Sequence, residues 1–133
     1  MGLIQLIYAS RPFGFDEAML NGILADARRN NPRHDITGAL ICRADLYLQL
    51  LEGPEEAITD LFERIRRDDR HVEVIELRRA EVTDRLFPAW AMRDDPARSW
   101  MWTQQEVTDG AIARTTPETA LAVFTRLAEA ACD

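Results

Sequence analysis

Residues 36–52 read ITGALICRADLYLQLLE, and the fold turns on this stretch. Two apolar runs, Ile36–Arg43 and Leu46–Glu52, flank the dipeptide Ala44-Asp45. Each run is short and rich in branched side chains, so each reads as a strand and the pair as a hairpin. Ala-Asp is a weak turn signal, and the hairpin reading rests on the two-residue spacing. Along the second run Tyr47, Gln49 and Leu51 share one side, and Leu46, Leu48 and Leu50 share the other. Both sides are apolar at the centre, so the sheet must be covered on both faces.

Upstream, LIQLIYAS over residues 3–10 is a further strand. It places Ile4, Leu6, Tyr8 and Ser10 on one face and Leu3, Gln5, Ile7 and Ala9 on the other. Arg11-Pro12-Phe13-Gly14 follows as a turn. The spacing predicts a helix over 16–30, with Asp16 at its start and a stripe of Leu20, Leu24 and Ala27 widened by Met19 and Ile23. Pro32 stops it, and Asn31 extends the buried stripe with a polar amide. After the hairpin a second helix is expected with Pro54 in its first position, Glu55 and Glu56 in its first turn, and Ile58, Leu61, Phe62 and Ile65 facing inward. Residues 71–79 and 86–92 read as two more strands. The order β-α-β-β-α-β-β is a ferredoxin-like α+β plan with two helices on one sheet face. The second face needs another cover: a C-terminal helix over Pro117–Ala131, with Leu121, Phe124, Leu127 and Ala128 in its stripe, or a partner subunit. Residues 93–105 read as a linker carrying Trp100 and Trp102. The organisation expected is one folded unit over 1–93 followed by a linker and helical cap over 94–133.

At 133 residues one domain is favoured over two. Its 23 acidic and 16 basic residues give a net charge of -7, which disfavours nucleic acid and anionic membranes as partners. Cys42 and Cys132 are too isolated for a disulfide framework, and with His34 and His71 they make no recognisable metal motif. No run approaches the roughly 20 apolar residues of a membrane span. The first apolar stretch is short and interrupted by Gln5, so no signal peptide is read and the cytoplasm is the expected compartment.

The chemistry concentrates in Tyr8, Gln49 and Asn31. A buried phenol and two buried amides must each find partners or cost about 1–3 kcal/mol apiece. On spacing alone two readings stand: the three groups satisfy one another, or they line a pocket for a flat ligand with a polar edge.

Six pieces carry a resemblance: Leu6-Ile7-Tyr8-Ala9-Ser10, Arg29-Asn30-Asn31, Ile36-Thr37-Gly38-Ala39-Leu40, Gln49-Leu50-Leu51-Glu52-Gly53, Asp69-Arg70-His71 and Phe87-Pro88-Ala89-Trp90-Ala91-Met92. In this order the chain resembles the BLUF domains, blue-light sensors using flavin. The resemblance implies a non-enzymatic photoreceptor that holds flavin non-covalently, FAD first, with FMN or riboflavin as alternatives. It implies that Tyr8 donates an electron and proton, that Gln49 bridges Tyr8 to the flavin, and that Asn31, with Asn30 beside it, holds the pyrimidine edge. It implies donors at Arg70 and His71, a light-responsive pair at Trp90 and Met92, and a supporting hydroxyl at Ser10. His71 also reads simply as a strand entry, Trp90 and Met92 as core, and Arg28 and Arg29 either as solvated helix-end charges or as phosphate partners. The signal would pass to a separate protein, and a homodimer is expected. The alternatives are a flavin-free interaction module on the same fold or, further off, a small acyl-phosphate hydrolase.

Overall fold

A computed structural model describes residues 3–12, 17–43, 46–68, 71–87, 93–96 and 103–131. Five strands form one sheet: β1 (Leu3–Pro12), β2 (Thr37–Arg43), β3 (Leu46–Pro54), β4 (His71–Val82) and β5 (Arg93–Pro96). Their spatial order is β4-β1-β3-β2-β5. β1 pairs antiparallel with β3 and β4, β2 antiparallel with β3, and β5 parallel with β2. Four helices complete the fold: α1 (Glu17–Asn30), α2 (Glu55–Arg66), α3 (Gln104–Thr108) and α4 (Pro117–Ala131). This is the α+β, ferredoxin-like arrangement expected.

The period-2 alternation divides the core in two. Ile4, Leu6, Tyr8, Leu40, Tyr47 and Leu51 meet Ile23 and Leu24 of α1 and Ile58 and Phe62 of α2. The intervening residues Ile7, Ala9, Ile41, Leu46, Leu48 and Leu50 meet Phe87 and, from the C-terminal region, Ile112, Val123, Phe124 and Leu127. The second face is therefore covered within the chain by α4. At Gly38 the β2 and β3 backbones come close, and a Cβ there would lie 2.0 Å from the Leu50 carbonyl oxygen.

Local signals explain the boundaries. Pro32 cannot continue α1, and Asn31–His34 tighten into a 3-10 turn ended by Asp35 in the left-handed region at φ 58°. Thr103 and Glu106 form a reciprocal capping box at the start of α3.

Three expectations need correction. Pro54 is the extended N-cap of α2, not its first helical residue. The strand expected over 86–92 does not begin at Leu86, and a strand is described at Arg93–Pro96. Leu86 and Phe87 are bends rather than strand, and 88–92 lie outside the described residues. The linker reading of 93–105 fails at both ends, because 93–96 joins the sheet and α3 begins at Gln104.

Candidate functional site

Tyr8 and Gln49 are direct cross-strand partners on β1 and β3. The alternation that turns Tyr8 toward α1 and α2 turns Gln49 the same way. The Tyr8 hydroxyl donates to Gln49 Oε1. The phenol ring is fully buried and lies tilted against Phe62, with centroids 5.5 Å apart. Burial pushes the phenol pKa well above its ordinary 10.0, with further upward pressure from the Asp68 carboxylate and from Tyr47. Burial thus favours the neutral, proton-donating phenol at Tyr8.

A cavity of about 330 Å³ opens between α1 and α2, with Gln49 in its lining. Each helix contributes a ladder at i, i+4 and i+7 that begins apolar and ends polar. These are Ile23, Ala27 and Asn30 on α1, and Leu61 and Ile65 of α2 continued by Asp68 just beyond it. Asn31, only 2% exposed, joins the lining from the 3-10 turn. The cavity thus has apolar walls from both helices and three carboxamides, on Asn30, Asn31 and Gln49. A carboxamide offers a donor and an acceptor side by side, which suits the edge of an imide-like ring.

Ser10 is buried two residues along β1 from Tyr8 and pairs across the strands with Tyr47. His71 opens β4 opposite Pro12, and its described part is the backbone. Arg70, Trp90 and Met92 lie outside the described residues. The structure therefore brings Tyr8, Gln49, Asn30 and Asn31 to one place.

The sequence reading did not put Asp26, Arg64 or Asp68 at the cavity, and it left Arg29 open between a solvated charge and a phosphate partner. All four line the cavity. Arg29 pairs with Asp26 at 2.7 Å. The ladder of Leu61 and Ile65 was the available signal for Asp68; that Asp26, Arg29 and Arg64 meet it is a tertiary fact. Among the described residues no group of three or more His, Cys, Asp or Glu side chains is placed to hold a metal ion. No described helix is long and apolar enough to cross a membrane.

A family model described as sensors of blue light using FAD, BLUF, matches residues 3–93. The chain belongs to the BLUF family. As a BLUF protein it is a blue-light flavin sensor in class, and its matched segment holds every residue of the Tyr8–Gln49 site. It is 35% identical over 91 residues to the photoactivated adenylate cyclase subunit beta of Euglena gracilis, covering 68% of this chain and 10% of that protein. It is 36% identical over 77 residues to the blue light- and temperature-regulated antirepressor BluF of Escherichia coli (strain K12), covering 56% of this chain and 19% of that one. The BLUF chain thus matches only a small part of these longer relatives. Among solved structures, the dark state of the BLUF protein BlrB superposes with a TM-score of 0.79 at 28% identity, covering 97% of both chains. The photo-activated state of BlsA gives 0.75 at 25% identity, covering 93% of this chain and 92% of that one.

The residues present fit a flavin. The cavity volume falls in the usual range for ligand sites, about 300–1,000 Å³. Its aliphatic walls suit the faces of a flat ring, and its carboxamides suit the polar edge.

Proposed function

We propose that this chain senses blue light through the Tyr8–Gln49 hydrogen bond, with FAD held non-covalently in the cavity between α1 and α2. The observation that carries the reading is that one side chain, Gln49, both accepts from the buried phenol and lines the cavity beside Asn30 and Asn31. In this reading Asn31 and Asn30 hold the pyrimidine edge, with Arg70 and His71 as further donors. Arg29 and Arg64, exposed side chains in the cavity lining, are the cations available to a flavin phosphate. FAD is preferred to FMN or riboflavin because the family is described by it.

When bound, the flavin supplies blue-light absorption and an excited ring that readily takes an electron. The protein's part is played at two atoms. Tyr8 Oη keeps its proton against Gln49 Oε1, its acceptor in the resting arrangement. Burial keeps the phenol neutral, so loss of an electron to a bound flavin would be accompanied by transfer of its proton to Gln49 Oε1, the acceptor it already holds. Gln49 has one accepting and one donating end, so reversing its carboxamide exchanges what it offers to Tyr8 and to the cavity. Such an exchange would change what Gln49 offers to a bound flavin without forming a covalent bond, and would shift its absorption to the red. Ser10 supports this network, and Trp90 and Met92 respond to it.

Residues 1–93 are the sensing part in this reading, and 94–133 the cap. The chain carries no catalysis of its own and hands the signal to a separate protein, as a homodimer. The outer side of α4, where Glu118, Ala122 and Arg126 are exposed, is the surface offered to the second copy. Mass in solution checks that: a monomer in dark and light removes the dimer.

The central test is absorption spectroscopy on the chain reconstituted with FAD. The parent should bind flavin and give a reversible red shift. Tyr8→Phe and Gln49→Leu should keep the flavin band and lose the shift. A normal shift in either variant takes that residue out of the switch. A parent that stays colourless would return the fold to a flavin-free interaction module.

A further inference from the structure

Glu52 is a carboxylate with no exposed surface, on a central strand of the sheet. Charged side chains are almost never this buried unless they are fully paired. Its partners are specific. Oε2 accepts from Gln5 Nε2 at 3.0 Å. Both carboxylate oxygens accept from the Leu86 amide at 2.8 Å, and Oε1 also accepts from the Phe87 amide at 2.9 Å. Gln5 is held in turn, because its Oε1 accepts from Arg78 Nε at 3.1 Å.

Two of these donors are backbone groups of a segment outside regular structure. The same segment is pinned one residue earlier, where Arg85 reaches Thr37 Oγ1, the Glu52 carbonyl and the Asp35 carbonyl at 2.7–3.1 Å. Phe87 then turns its ring edge-on to Phe124 of α4, with centroids 6.3 Å apart and planes at 87°. Both rings are buried. A continuous path therefore runs from β3, which carries Gln49 on its other face three residues earlier, through Glu52 and the Phe87 amide to α4.

We propose that Glu52 is a positioning residue for output: it ties residues 86–87 to β3, so that a light-driven change at Gln49 is delivered through Phe87 and Phe124 to α4. The proposal rests on the switch reading above, and its experiment separates the two. Charge-assisted bonds to backbone amides are short and directional, which suits a tether. Glu52→Gln should cut it. A Gln amide can accept the two backbone amides only by turning its NH₂ toward the NH₂ of Gln5. If Gln5 turns over in response, its own NH₂ meets Arg78. The exchanged pair, Gln5→Glu with Glu52→Gln, satisfies every donor and acceptor again, because the new carboxylate faces Arg78 and the new amide still accepts from 86–87.

The experiment uses the full chain reconstituted with FAD, with the light-minus-dark spectrum and hydrogen exchange read on the same samples. In the parent, exchange in α4 should change several-fold on illumination. Glu52→Gln should keep the red shift, raise dark exchange at the Leu86 and Phe87 amides by about tenfold or more, and abolish the light response of α4. The exchanged pair should restore both. A Glu52→Gln chain with the parent's α4 response, or a parent whose α4 ignores light, overturns the proposal. If Glu52→Gln fails to fold, Phe87→Leu serves instead: it keeps the carboxylate network and thins the contact with Phe124. It should keep the red shift and lose at least half of the α4 response, and a full response overturns the proposal. A parent without a red shift sinks the switch reading. Dark exchange at 86–87 then still tests the tether, and unchanged exchange in Glu52→Gln overturns it.

Discussion

The two faces of the sheet are built from the same strands and do different work. The face under α1 and α2 carries Tyr8, Gln49 and a cavity with three carboxamides. The face under α4 is closely packed hydrocarbon at its centre: Ile7, Ala9, Leu48 and Leu50 beneath Phe87, Phe124 and Leu127. At one end the second face holds polar groups, and there Gln5 and Glu52 bond each other. One strand can serve both purposes because consecutive side chains point to opposite faces. A chemically demanding site therefore sits one residue away from a core that supplies stability. The cavity side forgoes packing for a ligand, and the α4 side offsets that loss.

If this division holds, Phe124→Ala should give the largest effect. Removing a buried aromatic ring costs about 3–5 kcal/mol, read as a lower denaturant midpoint. The flavin spectrum of the remaining folded protein should be unchanged. A loss below about 1 kcal/mol would mean that α4 covers the sheet without holding it.

On the other face the effect should appear in binding rather than stability. Asn31→Ala removes a nearly buried amide from the cavity lining. Flavin affinity should fall by about 1–3 kcal/mol, measured by titration with FAD. The apoprotein midpoint should move by less than the flavin affinity does. Unchanged affinity with a large stability loss would reverse the roles assigned to the two faces.

The smallest effect lies at alkaline pH. Tyr8 keeps its proton in the folded chain above the ordinary phenol value of 10.0, whereas the unfolded chain gives it up there. The folded state then binds more protons, so stability falls as pH rises past that value, by at most about 1.4 kcal/mol per pH unit from this group. Tyr8→Phe should flatten that part of the midpoint-versus-pH curve. An equal slope in parent and variant would mean that Tyr8 titrates normally.

What could be read from the sequence was what local period determines. Alternation along Leu46–Glu52 assigned both faces, and the spacing of Leu121, Phe124 and Leu127 marked the covering helix. The strand at Arg93–Pro96 escaped because Arg93-Asp94-Asp95-Pro96, three charges and a proline, carries no apolar alternation. Those four residues pair at the outer edge of the sheet, where proline and charge are tolerated. Glu52 escaped for another reason. It reads as the polar end of a strand, and two of its partners are backbone amides at 86 and 87, which no local pattern announces. Arg64 and Asp68 likewise look like solvated charges until two helices are placed side by side.

The other edge of the sheet is β4, twelve residues long. A strand of that length with an open side invites another chain to add to it, and Ile75, a large exposed apolar side chain on it, would help. Two features oppose this. Its register against β1 shifts twice, and Glu73 takes a left-handed backbone at φ 54° while its carboxylate pairs with Arg11. Glu76, Arg79 and Glu81 add exposed charges along the same strand. A bent, charged rim makes a poor template for a straight incoming strand, so the irregularity of β4 guards the protein against aggregation through edge-to-edge strand addition.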